Sequence, residues 1–232
     1  MSGQENFSDE KTRDEAREAM RAGEEIRRRV HDLTLQALRH RRFDREGIRQ
    51  VLRAVAEGAA LGAEASRTEV RKALADAFGG MDEALSRSAE AARTALAQMV
   101  AAGRDFSDSE LKQALANLRK LEEDFLATVG HVAEAAGEKV APELRRILSE
   151  ARASGTETGR KVSATMAEIA ERLSVASLDL ALAGVAAATE FGARFAALAG
   201  GVLAGMADAL RPREAAAGER ANHKEGAPKD KT

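Results

Sequence analysis

The chain has 232 residues, 44 % of them hydrophobic and 32 % charged, a composition that excludes wholesale disorder and supports an extensive folded region. A formal charge of −2 leaves no general basic excess to neutralise a phosphate backbone, so specific nucleic-acid binding is not expected. The absence of cysteine excludes disulfides and thiolate metal sites, and the charged N-terminal residues hold no apolar run of the kind that marks a secretory signal.

Alanine dominates the hydrophobic total, and the aromatic complement is seven Phe with no Trp or Tyr. At about 25 cal/mol per Å² of apolar surface removed from water, each buried position contributes little, so a thick globular core is not expected. Prolines occur only at 142, 212 and 228, and no alternating run of β-branched and aromatic residues lies between the helix signals. The expectation is an all-α fold: an elongated bundle of three to four long amphipathic helices with eleven-residue and heptad periodicity.

Residues 1–8 are expected as a disordered N-terminus, and a first helix over about 9–41. Thr12 and Glu15 have the spacing of a capping box, and Ala16, Ala19, Gly23, Ile26, Val30, Leu33 and Ala37 recur three and four apart. Asp44 is placed to cap a second helix, with Phe43 and Ile48 at the two positions of a hydrophobic staple. Around this junction Arg39, Arg41, Arg42, Arg45, Arg49 and Arg53 face only Asp44 and Glu46, a local charge of +4. Such a cluster suits a helix C-terminus, and the alternative is docking to an anionic surface.

The second helix is expected over about 45–102 as one rod roughly 87 Å long at 1.5 Å per residue. Its stripe runs through Ile48, Leu52, Val55, Ala59, Ala63, Ser66, Val70, Leu74, Ala77, Met81, Leu85, Ser88, Ala92, Leu96 and Met99. The steps cycle as four, three, four, about 3.67 residues per turn, which keeps the stripe nearly straight. Gly58, Gly62, Gly79 and Gly80 are expected as points of bending, and Glu83 with Arg87 as part of a solvated face.

The junction device recurs before a third helix, expected over about 108–153: Phe106 precedes Ser107-Asp108-Ser109-Glu110, and Leu111 completes the staple. The stripe then follows Leu111, Ala114, Leu118, Leu121, Phe125, Val129, Val132, Ala136 and Val140, continuing past Pro142 to Leu144 and Ile147. That proline either opens a new helix or kinks the old one. Ser154 to Gly159 is the expected later break, followed by a helix over about 160–210 and a disordered polar tail over 211–232. Together, 9–210 is expected to form a single domain.

From Ser174 to Leu210 only Asp179, Glu190, Arg194 and Asp208 are charged. The uncharged runs are too short and too rich in alanine to span a bilayer, so no transmembrane span is expected. Gly192, Ala196, Gly200 and Ala204, with Gly201 and Gly205, permit close approach of helix backbones. This segment is either a buried helix of the bundle or a contact face formed by Phe191, Phe195, Leu198, Val202 and Met206.

None of His31, His40, His131 or His223 follows a glutamate by three positions, so the Glu-x-x-His pairs of di-metal bundles are missing. His131 with Glu134 is expected to be an exposed pair, and Ser109 with Lys112 belongs to a helix start. No nucleotide-binding fingerprint accompanies the glycine pairs. The sequence thus names no catalytic, cofactor-binding or metal residue, and a non-enzymatic protein is expected.

Gly23-Glu24-Glu25-Ile26-Arg27-Arg28-Arg29-Val30, the segment from Phe106 to Phe125, and Leu203 to Leu210 resemble an uncharacterised proteobacterial family of long helical proteins, a domain of unknown function. The alanine-rich helices with a polar tail look like phasins, which coat storage granules, and the eleven-residue rhythm is similar to that of exchangeable apolipoproteins. These resemblances imply association with an apolar or anionic intracellular surface, a polymer granule or a membrane, through Phe191 to Met206 with Arg39, Arg41, Arg42 and Arg45 as a secondary anchor. A cytoplasmic location, peripheral on a granule or inner membrane, goes with that expectation. The alternative is a coiled-coil scaffold that forms homo-oligomers and binds other proteins.

Overall fold

A computed structural model describes residues 8–41, 44–66, 69–101 and 108–172, the side chains of 96–101, 108–115 and 169–172 excepted. The described chain is all-helical: α1 (Asp9–Ala22), α2 (Ile26–Arg39), α3 (Arg45–Ala65), α4 (Val70–Ala101), α5 (Asp108–Ala135), α6 (Ala141–Ser154) and α7 (Glu157–Arg172). Each of the first three long helices expected from the sequence is divided. The first breaks at Gly23, whose φ of 72° ends α1 in the left-handed region open to glycine. The rod over 45–102 breaks between Ala65 and Val70, and the third helix between Ala135 and Ala141, where Pro142 sits in the first turn of α6.

The breaks fold the chain into three antiparallel hairpins. Arg41, just beyond α2, reaches Asp9 in the first turn of α1 at 2.5 Å, so α1 and α2 run in opposite directions. Thr156, just beyond α6, reaches back to Glu122 of α5 at 2.6 Å, which turns α6 and α7 against α5. Between them lies the hairpin of α3 and α4.

Parallel packing stacks these hairpins in chain order. Gly58 and Gly62 of α3 lie against Arg13, Ala16, Arg17 and Met20 of α1, so the two helices advance together. On the other flank of α3, Arg49 bonds Asp124 and Glu64 lies beside Lys139 of the third hairpin. In the second layer Arg27 of α2 bonds Glu83 of α4 at 2.7 Å, and α4 in turn meets α7 through Asp82 and Arg93. The pairs Arg49–Asp124, Glu64–Lys139, Asp82–Glu157 and Arg93–Glu168 are all 75 positions apart. A constant offset on both layers means that the third hairpin is set on the second without sliding. Thus α1, α3 and α5 form one layer and α2, α4 and α6–α7 the other, with the central hairpin covered on both flanks.

That position explains the composition of the centre. Ile48, Leu52, Val55, Ala59 and Ala63 of α3 are buried, as are Leu74, Ala77, Met81, Leu85, Ser88 and Ala92 of α4. These eleven stripe residues therefore enter the core even though they belong to two antiparallel helices, while Ser66 and Val70 at the break are half-buried and the side chains of Leu96 and Met99 lie outside the described ones. Gly58, Gly62 and Gly80 admit the α1 and α2 backbones, because a Cβ at any of them would collide with a neighbouring main-chain or Cβ atom. Where the second and third hairpins meet, the Phe78 and Phe125 rings stack at 4.8 Å.

A repeat that follows this architecture is present in the sequence. Glu25-Ile26-Arg27-Arg28-Arg29-Val30-His31-Asp32, Glu69-Val70-Arg71-Lys72-Ala73-Leu74-Ala75-Asp76 and Glu143-Leu144-Arg145-Arg146-Ile147-Leu148-Ser149-Glu150 open the second helix of the three hairpins. All share acid, apolar, arginine, base, any residue, apolar, any residue, acid. The apolar members point inward: Ile26, Val30, Leu74, Leu144 and Leu148 are buried and Val70 is partly so.

Candidate functional site

Three features gather polar groups: the arginine-rich helix junction, the start of α7, and two surface clefts. At the junction, Asp44 caps α3 by accepting a hydrogen bond from Gly47 N at 2.8 Å, as the sequence predicts. At α1 the cap differs from the expected Thr12. Ser8 accepts from Lys11 N at 3.1 Å, while the Thr12 hydroxyl donates to the Ser8 carbonyl at 3.1 Å from inside the first turn.

The junction arginines are drawn into the stack. Arg41 bonds Asp9 and donates to Gln50 at 3.1 Å, tying both hairpin starts together. Arg45 grips Asp124 with two hydrogen bonds, Nε at 2.5 Å and Nη2 at 2.8 Å, and Arg49 adds a third at 2.8 Å. Asp124 is only 4 % exposed. Its burial pushes the carboxyl up, but the Arg45 hydrogen bond and the charges of Arg45 and Arg49 overcome that and hold it below the usual carboxylate range. Arg53 faces Glu57 at 3.6 Å, and Arg39 is half-buried. Sequence reasoning found the basic half of this cluster and missed Asp124, because the two halves are joined only by the stacking of α5 on α3. Phe191, Phe195, Leu198, Val202, Met206 and Arg42 lie outside the described residues.

The start of α7 is a second polar centre that the sequence did not reveal. Asp82 of α4, buried, accepts from Glu157 N at 2.8 Å and Thr158 N at 2.9 Å, and its carbonyl accepts from the Thr158 hydroxyl at 3.0 Å. Glu122 of α5 accepts from the Thr156 hydroxyl at 2.6 Å and from Thr156 N at 3.3 Å, while Gly159 N donates to Thr156 Oγ1 at 2.9 Å. The first donors of α7 are thereby satisfied, mostly by carboxylates from two other helices, which also suit the positive end of the helix dipole. Farther along, Glu90 accepts from Arg93 and pairs with Lys161 at 2.7 Å. The Arg93 hydrogen bonds, then those of Lys161, hold the Glu90 carboxyl below its ordinary value.

The larger cleft, about 760 Å³, opens between α1 and α2 and is lined by Glu10, Asp14, Glu15, Glu18 and Asp32 with Lys11 and Arg29. A smaller one, about 260 Å³, lies between α3 and α5 beside Arg49, Arg53, Thr128 and His131. His131 is exposed and 3.4 Å from Glu134, the pairing that its sequence spacing predicts. Glu83 bonds Arg27 of the first hairpin, so the expected solvated pairing with Arg87 gives way to a link between hairpins. Among the described residues, no group of three or more His, Cys, Asp or Glu could hold a metal ion, and no helix is long and apolar enough to cross a membrane.

Comparison with curated proteins and with solved structures finds no significant match. The family model described as "Family of unknown function (DUF6781)" matches residues 2–212, nearly the whole chain, and the protein belongs to that family.

Proposed function

We propose that the protein is a non-catalytic association protein, in which a stack of helical hairpins carries a contact segment within residues 174–210. The observation that carries this reading is the inward closure of the stack. Among the described side chains the large apolar ones are turned into the stack, and the one exposed is Leu61, at 50 %. An apolar partner therefore has little to hold among the described side chains, whereas 174–210 has four charges and the aromatic pair Phe191 and Phe195. We assign contact to Phe191, Phe195, Leu198, Val202 and Met206, with a polymer granule or an anionic membrane surface inside the cell as the phasin-like target. Arg39, Arg41, Arg42 and Arg45 form the secondary anchor, Arg45 remaining 40 % exposed on its side chain while it bonds Asp124.

The same closure favours a second reading, a scaffold whose partners are proteins, including further copies of itself. Flotation of the purified protein with anionic liposomes and, separately, with polymer granules distinguishes the two. Surface association predicts that wild type floats with one of them and that Phe195→Glu and Val202→Glu remain in the soluble fraction. If wild type itself stays soluble in both arms, surface coating is wrong, and light scattering then tests for a defined oligomer.

A further inference from the structure

We propose that α7 is a releasable strap, hinged at Gly155 and fastened to α4 and α5 through Asp82 and Glu122, which opens as a unit while the first two hairpins stay folded. Three observations meet in this helix.

The first is its hinge. Gly155 has φ 76° and ψ 156°, a conformation that L side chains rarely adopt, and nothing lies within 4 Å of the place a Cβ would occupy. At Gly155 the link between α6 and α7 is exposed and uncrowded, and glycine is the residue type that adopts this conformation most readily, while the next residue, Thr156, is buried and fastened to Glu122.

The second is the nature of the attachment. Where α1 and α3 meet, glycines bring backbone against backbone. Where α7 meets the rest, Thr156, Thr158 and Thr165 are buried, and Val162 is the buried hydrophobic residue among its described side chains, with Met166 partly so. The facing surface of α4 is small and polar as well: Asp82, Ser86, Ala89 and Arg93 share one helical face. Fastening falls to the Asp82 and Glu122 hydrogen bonds, to Lys161 with Glu90, and to Arg93 with Glu168 at 3.2 Å. Such groups are satisfied by water once they part, so this part of the attachment is cheaper to open than an apolar one. Segments of this kind lie at the low-stability end of a native fold.

The third is the shape of the clasp. Gly159 has no Cβ, and the Glu122 carboxylate fills the space where one would be. The side chain from α5 therefore enters the first turn of α7 directly, and Asp82 holds the same turn from α4. A helix whose starting point is defined by two distant carboxylates loses that definition when either is removed.

Because α7 precedes the proposed contact segment in the chain, its release would free the stretch from Gly155 to Arg172 that joins that segment to the stack. That consequence rests on the proposed function; the strap itself does not, and its test uses no surface. Native-state hydrogen exchange of the full chain, read by mass spectrometry, should show amides of 160–168 exchanging at least tenfold faster than those of 48–63 and 74–92. Asp82→Ala should accelerate α7 by a further tenfold or more and leave 48–63 unchanged, with Asp82→Asn, which keeps an acceptor oxygen, in between. If Asp82→Ala does not fold, Arg93→Gln combined with Lys161→Gln weakens the exposed part of the clasp and should give a severalfold acceleration confined to α7. Exchange of α7 at the same rate as α3 and α4 in wild type, or acceleration spread evenly over all helices in the variants, would overturn the strap.

Discussion

At single positions the fold depends on where a side chain is forbidden as much as on where one is buried. Gly58 leaves no room for a Cβ between α3 and the Arg13 carbonyl, whereas nothing lies within 4 Å of that place at Gly130 in α5. Gly58→Ala should therefore lower stability by about 1–3 kcal/mol through overpacking. Gly130→Ala should raise it by up to about 1 kcal/mol through helix propensity alone. Urea midpoints of the two variants, opposite in sign, test this directly. A fall in stability for both would mean that the α1–α3 contact is not what distinguishes these glycines. Asp124 adds a pH dependence. Its carboxyl titrates lower folded than unfolded, so the stability it supplies is complete above the unfolded carboxylate pKa and is lost as pH falls through the folded value. Asp124→Asn should weaken the protein at neutral pH and flatten the decline on acidification. Urea midpoints measured from neutral pH downward will show whether the two curves converge in acid.

Each hairpin depends on its neighbours for its place, and the two seams use different means. The first is tight and glycine-lined, with Arg27–Glu83 as a bridge. The second combines an apolar centre at Phe78 and Phe125 with carboxylates, Asp124 and Asp82, each held by donors from another element. Removal of the Asp124 side chain by Asp124→Ala frees Arg45 and Arg49 into water, so the loss should be moderate, about 1–3 kcal/mol. Ion pairs such as Arg71–Glu150, 46 % and 57 % exposed on their side chains, should contribute little and weaken further in salt. Comparison of Arg71→Gln with Asp124→Ala by urea unfolding at low and high NaCl should show that only the buried carboxylate matters at both.

For the molecule as a whole, the central hairpin is the common support. Leu74 is 1 % exposed and sits in the helix flanked by both outer hairpins, so Leu74→Ala should cost about 2–5 kcal/mol and reduce exchange protection in all three hairpins. Retained protection in α1 and α2 would show instead that the first hairpin is stable by itself. The all-α class, the inward stripe, the Asp44 cap and the break near Gly155 were legible in the sequence because each follows from spacing or capping within a few residues. The tandem acid-apolar-arginine pattern at Glu25, Glu69 and Glu143 was equally present, yet its meaning depends on knowing that each copy opens a returning helix. Spacing along a helix stays nearly in phase across a short turn, so the stripe from Ile48 to Met99 read as one rod. Only packing between layers decided that it is divided between Ala65 and Val70, that glycines admit neighbouring backbones, and that the junction arginines meet Asp124. Local periodicity records which face must be covered; what covers it is set by chain segments up to 79 positions away.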